Sequence, residues 1–161
     1  ERELEVFIRE HQDDFYRLAF SYVKNADEAM DVIQEAAIKA FVHLSSLRDT
    51  QNMKAWFYRI LVNECLTWLR KSKRLYVVPG EFFEGIQNGD HTESFDENLD
   101  LYKAILRLDA KLKTVVLLRF FEGMKLEEIA SVTNTRLSTV KTRLYRALRE
   151  LKSVLEEEVS A

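Results

Sequence analysis

The only proline of the 161 residues, Pro79, and three of the four glycines, Gly80, Gly85 and Gly89, fall between positions 75 and 100. Residues that stop helices and strands are thus confined to one stretch, and the chain on either side runs nearly free of them. Collagen-like, low-complexity and turn-dense all-β chains need far more glycine and proline and are excluded. The same stretch holds no lysine or arginine but seven acids: Glu81, Glu84, Asp90, Glu93, Asp96, Glu97 and Asp100. Breakers combined with charge of one sign leave too little apolar surface to offset the entropy of ordering, which marks a linker. Phe82, Phe83, Ile86 and Phe95 leave room for local docking inside it. The expected organisation is all-α, with two small helical domains, 1–74 and 101–161, joined by an acidic flexible linker, 75–100.

The net charge of −3 conceals an uneven distribution. Residues 1–74 balance 12 basic against 12 acidic side chains, whereas 101–161 carry 12 basic against eight acidic. Within the first lobe, Lys54, Arg59, Arg70, Lys71, Lys73 and Arg74 face Glu64 alone over residues 54–74, a net +5. In the second, Arg136, Lys141, Arg143, Arg146, Arg149 and Lys152 face Glu150 alone over 136–152, again +5. One such run is often just a solvated helix face. Two of equal charge, one per lobe of an acidic protein, point to two places that each meet a polyanion.

Other chemistries find little support. A single cysteine, Cys65, rules out a disulfide framework or a cysteine-built zinc site and fits a reducing compartment. Mid-helix among apolar residues, it reads as a small core residue. His11, His43 and His91 are scattered, with no HExxH motif, phosphate-cradling glycine loop or nucleophile elbow. No cofactor, metal, small-molecule substrate or catalytic residue is expected. No apolar run approaches the ~18 residues of a membrane span, and Glu1-Arg2-Glu3 opens no apolar signal segment. The expectation is a cytoplasmic protein without membrane insertion.

In the first lobe, Leu4, Phe7, Ile8, Phe15, Leu18, Ala19 and Tyr22 recur mostly at helical spacing up to Val23. Asn25-Ala26-Asp27 supplies a turn and an N-cap for a helix expected to run to Leu47. Its apolar stripe is Ala29, Val32, Ile33, Ala36, Ala37, Ala40, Phe41 and Leu44. The opposite face carries Asp27, Asp31, Gln34 and Glu35, three, four or eight residues apart and therefore on one surface. The helix dipole favours acids in a first turn and accounts for Asp27 and Glu28, but not for Gln34-Glu35 two turns on, which suit docking of a basic partner. After the polar connection 45–52, a helix is expected from Met53 to Lys73, with Phe57 and Trp68 assigned to the core. Trp56 and Tyr58 stay open as stacking surfaces for unpaired bases. Asn63 falls four residues beyond Arg59 on one face, a pair suited to base or phosphate hydrogen bonds.

In the second lobe, Leu101, Ala104, Ile105 and Leu108 make an amphipathic helix, and Asp109 is the natural N-cap of a helix over 110–122 stopped by Gly123. A short helix over 125–133 and a last helix from Leu137 into the 150s are joined by Asn134-Thr135-Arg136. Asn is the commonest non-glycine residue to take the left-handed conformation that such a turn requires. Val140, Leu144, Ala147, Leu148, Leu151 and Leu155 are expected inward. With Ala130 where the helices cross, this is a helix-turn-helix pattern. The outward set Ser138, Thr139, Lys141, Thr142, Arg143, Arg146 and Arg149 suits a major groove, where Arg or Lys reads guanine and Thr or Ser meets phosphates or bases.

Over residues 4 to 152 the chain resembles the small two-domain bacterial sigma factors of the extracytoplasmic-function group. The resemblance rests on three stretches in order. Asp27–Asp31 with Gln34-Glu35 looks like the helix that docks on the polymerase clamp. Ala55-Trp56-Phe57-Tyr58-Arg59-Ile60, with Asn63 and the basic end Leu69–Arg74, looks like the promoter −10 segment. Glu128-Ile129-Ala130 with Thr139-Val140-Lys141-Thr142-Arg143-Leu144 looks like the −35 reader. The chain departs from the family where the usual Leu-Pro is Leu108-Asp109, where the usual Gly is Asn134, and about Arg136, where the family usually has a capping Ser.

The resemblance implies a promoter-specificity subunit rather than an enzyme. Asp27, Asp31, Gln34 and Glu35 would grip the RNA polymerase core, its beta and beta-prime subunits. Arg48, Lys54, Trp56, Arg59, Asn63, Arg70, Lys71, Lys73 and Arg74 would meet the −10 element of promoter DNA. Arg136, Ser138, Thr139, Lys141, Thr142, Arg143, Arg146 and Arg149 would meet the −35 element. An anti-sigma factor is implied as a further partner. The tether fits: boxes about one and a half duplex turns apart are separated by roughly 50 Å. A 26-residue linker spans at most ~85 Å and averages ~28 Å as a coil, so a third body must hold the lobes apart. The rival is a stand-alone helix-turn-helix regulator, which would bind its duplex tightly without polymerase.

Overall fold

The computed structural model describes the backbone of residues 1–73 and 96–160 and the side chains of 1–72 and 100–157. Arg74 and linker positions 75–95 lie outside the described residues, as does the side chain of Lys73. All regular structure among the described residues is helical. The first unit carries α1 (Arg2–Glu10), α2 (Gln12–Val23), α3 (Ala26–Val42) and α4 (Met53–Lys73); the second carries α5 (Asp96–Leu106), α6 (Ala110–Val116), α7 (Leu126–Thr133) through Ala130, and α8 (Leu137–Ser160). Helix α5 reaches back to Asp96, into the stretch read as linker.

In the first unit α2, α3 and α4 pack on one another. Ala29, Ala36 and Ala40 of α3 are fully buried, and their small side chains let its neighbours approach closely. The centre is aromatic: the Phe15 ring stacks on Phe57 at 4.5 Å and meets Tyr58 edge-on at 5.3 Å. Offset and edge-to-face geometries of this kind add to the burial of the rings themselves. Phe57 and Cys65 are core as expected.

Three local features depart from the periodicity. The first helical stretch is broken at His11 (ψ 16°), whose ring lies against Phe7 at 4.4 Å and donates from Nδ1 to the Phe7 carbonyl at 2.9 Å. A side chain that bonds the backbone competes with the regular ladder and bends it. Left-handed Lys24 (φ 55°) ends α2, and the Asn25 side chain accepts the Glu28 N–H at 3.0 Å to open α3. Helix α3 then stops at Val42, five residues short of the expected Leu47, and the chain passes through short 3₁₀ turns at Leu44–Ser46 and Thr50–Asn52.

In the second unit α8 packs on α5 and α6, and Ile105, Leu112, Val115, Val140 and Ala147 of these helices are buried. Asp109 caps α6 by accepting the Lys111 N–H at 3.0 Å. Beyond Val116 the helix widens into a π-helical turn, Leu117–Phe121, closed by the Glu122 N–H on the Leu117 carbonyl at 3.1 Å. Gly123, at φ 64°, ends it as expected, and Arg119 braces the exit by donating to the Met124 carbonyl at 2.9 Å. The turn between α7 and α8 is the one the sequence implies. Asn134 is left-handed (φ 53°), and the Thr135 N–H bonds the Ala130 carbonyl at 3.0 Å, the six-to-one closure of a Schellman motif.

Candidate nucleic-acid and polymerase interfaces

The outer face of α3 is chemically divided along its length. Asp27, Asp31, Gln34 and Glu35 are all exposed over its N-terminal half, in the arrangement the sequence predicts. The same arc continues into apolar side chains: Ile38 is 56% exposed, Phe41 38% and Val42 69%, with Met30 at the edge at 46%. Phe41, read as part of the inward stripe, is therefore corrected to the surface. Apolar side chains grouped on one helix face are an interaction signal, unlike the same residues scattered singly.

On the 43–73 stretch, Arg48, Arg59, Asn63, Arg70 and Lys71 are exposed, and Lys54 is half-buried. At 3.6 residues per turn, Arg59, Asn63 and Arg70 fall within an arc of about 40°. Arg70 donates to the Thr67 hydroxyl at 3.2 Å, which holds its guanidinium along the helix. The two open aromatics separate. Tyr58 is fully buried against Phe15 and presents no ring to a base. Trp56 is half-buried, and its Nε1–H donates to Ser46 Oγ at 3.3 Å, fastening α4 to the 3₁₀ turn before it. Trp68, expected in the core, is half-buried. The side chain of Lys39 on α3 reaches across to pair with Glu64, the one acid of 54–74.

Helix α8 sends Val140, Leu144, Ala147 and Leu151 inward and exposes Arg136, Ser138, Lys141, Thr142, Arg146 and Arg149; Thr139 and Arg143 are half-buried. The Arg136 carbonyl accepts the Val140 N–H at 3.1 Å, so Arg136 stands at the cap position. Thr142 donates its hydroxyl proton to the Ser138 carbonyl at 2.9 Å, leaving the oxygen to accept. Arg146 pairs with Glu150 at 3.4 Å. Leu148, expected inward, is 38% exposed, and Leu155 is half-buried. Tyr145, which the sequence reading passed over, is 65% exposed beside these arginines. It stands one residue after the inward Leu144, a position the helical spacing of Val140, Leu144 and Ala147 already turns outward.

Burial raises the Tyr22 hydroxyl well above its ordinary value, with Cys65 adding to the effect. Burial and then Asp27 raise Tyr16, and burial lowers Lys24. Among the described residues no three His, Cys, Asp or Glu side chains group as a metal site, and no helix is long and apolar enough to cross a membrane.

Two helical units, the first with an acidic helix beside a basic one and the second a basic helix-turn-helix, are the layout of sigma-70 proteins. The family model for sigma-70 region 2 matches residues 7–75, and that for sigma-70 region 4 matches residues 98–151. The chain belongs to the sigma-70 family. It is 45% identical over 151 residues to the RNA polymerase sigma factor SigV of Bacillus subtilis, covering 94% of this chain and 90% of that one. Its place within the family is the extracytoplasmic-function group. The group's SigW from the same organism is 29% identical over 160 residues, covering 91% and 86%. Among solved structures, the fold matches the sigma factor RpoE, determined with the anti-sigma factor NepR from Bartonella quintana. That match has a TM-score of 0.73 at 24% identity over 94% of this chain and 98% of that one.

Proposed function

We infer that the chain is the promoter-specificity subunit that binds RNA polymerase core and directs initiation at promoters with −10 and −35 elements. It is a specificity factor, not a catalyst in its own right. One observation carries the reading: each unit presents one basic helical surface, α4 in the region 2 match and α8 in the region 4 match. Domains 1–74 and 101–161 take these two roles, with 75–100 between them.

The proposed division of labour follows the surface chemistry. Asp27, Asp31, Gln34 and Glu35 meet basic groups of the core's beta-prime clamp, and the apolar end of the same α3 face, Ile38, Phe41 and Val42, adds burial to that contact. Arg48, Lys54, Arg59, Asn63, Arg70, Lys71, Lys73 and Arg74 engage the −10 strand, with Trp56 fixing the approach loop through Ser46. Holding bases unpaired there costs a few kcal/mol each, which these contacts must offset. Arg136, Ser138, Thr139, Lys141, Thr142, Arg143, Arg146 and Arg149 enter the −35 major groove, and their phosphate contacts make binding steeply salt-dependent. The protein works in the cytoplasm with polymerase and is held off by an anti-sigma factor, the kind of partner with which the structurally similar RpoE was solved.

Run-off transcription tests this directly. Purified chain added to bacterial core polymerase on a genomic fragment pool should yield discrete start sites that share paired upstream boxes. Tight duplex binding by the chain alone, with no new start sites, would support the stand-alone regulator.

A further inference from the structure

Each of the two basic stretches contains one acid, and in each the acid is ion-paired. In the second unit the partner comes from the same helix, Arg146 for Glu150 at 3.4 Å. In the first it comes from a different helix: Lys39 leaves α3 to pair with Glu64 of α4. Glu64 lies about 100° around α4 from Asn63 and about 120° and 140° from Arg70 and Arg59, on the side that faces Lys39 of α3 and next to the basic arc rather than on it. Its side chain is only 13% exposed, whereas that of Lys39 is 50% exposed. A carboxylate on that side repels a nucleic-acid strand laid along the arc across a helix about 10–12 Å wide, so the repulsion is felt chiefly at low salt, where the Debye length grows to about 30 Å.

An ion pair with one partner this exposed contributes little to folding stability. Its consequence is in the field. We propose that Lys39 is a positioning residue that masks the Glu64 charge, so that the −10 surface of α4 presents an unbroken positive face although Lys39 itself touches no DNA. The proposal rests on the promoter-binding reading above. It assigns a DNA-binding consequence to a side chain of the helix otherwise given to the polymerase.

The test uses full-length chain assembled with bacterial core polymerase and a forked −10 probe taken from a start site mapped by run-off transcription. Lys39→Met should weaken probe binding about two- to fivefold at low salt, the scale of one unscreened like charge several ångströms from a phosphate, and the loss should shrink as salt rises. Glu64→Gln alone should not weaken binding, and adding Glu64→Gln to Lys39→Met should restore it. Core affinity of Lys39→Met should not fall, because its removal only deepens the acidic character of α3. Equal losses for Lys39→Met and Glu64→Gln, or a Lys39→Met loss that Glu64→Gln does not repair, would overturn masking in favour of a mechanical brace. Wild-type binding with no effect of Lys39→Met would overturn it too. If Lys39→Met melts early, the exchanged pair Lys39→Glu with Glu64→Lys decides: restored binding supports masking, and lost binding refutes it. Failure of the wild-type holoenzyme to bind the probe at all would instead count against the promoter reading itself.

Discussion

The two basic surfaces reach the same net charge by different routes. On α8 the surface is self-contained: one long helix, with Arg136 at its start, carries the cations of 136–152, the one acid of that stretch, Glu150, and the arginine that pairs with it. On α4 it is assembled from neighbours. Trp56 ties it to the turn at Ser46, and Lys39 of α3 covers Glu64. A duplex groove asks only for a rigid rod with side chains at fixed spacing, which one helix supplies. An unpaired strand must be held by a shaped surface, and a shape needs several elements. The α8 surface should therefore tolerate loss of its surroundings, and the α4 surface should not.

The largest expected effect breaks the comparison at α3. Asp31→Lys combined with Glu35→Lys should abolish core binding, measured by co-purification with core polymerase, while −35 duplex binding by the full chain stays unchanged. Unchanged core affinity would remove α3 from the polymerase contact. Next comes α8: Arg143→Ala should cost about 1–3 kcal/mol in affinity for a matched −35 duplex if it reads a base edge. Equal losses on matched and scrambled duplexes would make it a phosphate contact. Helix starts give a smaller effect in each unit. Asn25→Ala and Asp109→Ala each remove a cap and should each cost about 1 kcal/mol of stability, read by thermal denaturation. The smallest sharpens the contrast in acid handling. Glu150→Gln frees Arg146 and should steepen the salt dependence of −35 binding by no more than about one phosphate contact, with promoter preference unaltered.

Much of this arrangement is legible in the residues alone, for identifiable reasons. Met53–Lys73 was expected at its observed bounds because a polar connection precedes it. Asp109, Gly123 and Asn134 act where expected, since capping and left-handed turns depend on single side chains and backbones. The acidic arc of α3 is likewise visible, because charges at spacings of three and four declare an outer face. What escapes is the apolar remainder of that face. At 3.6 residues per turn Phe41 falls with Gln34 and Asp27 rather than with Ala36, so its apolar character misled where the spacing already turned it outward; α2 and α4 pack on the arc of Ala29, Ala36 and Ala40. The π-helical turn at Leu117–Phe121 escapes for another reason: one wide turn shifts the register while leaving the hydrophobic pattern nearly unchanged. Trp68 and Leu148 mark the same limit at the edges of the cores, where a large side chain is covered on one side only.

Hydroxyl-radical footprinting of the reconstituted holoenzyme on a mapped promoter bears most directly on the two-surface account. It predicts two protected patches about one and a half duplex turns apart, with Arg143→Ala weakening the upstream patch and Arg59→Ala weakening the downstream one independently. A single continuous patch, or loss of both patches from either substitution, would contradict it.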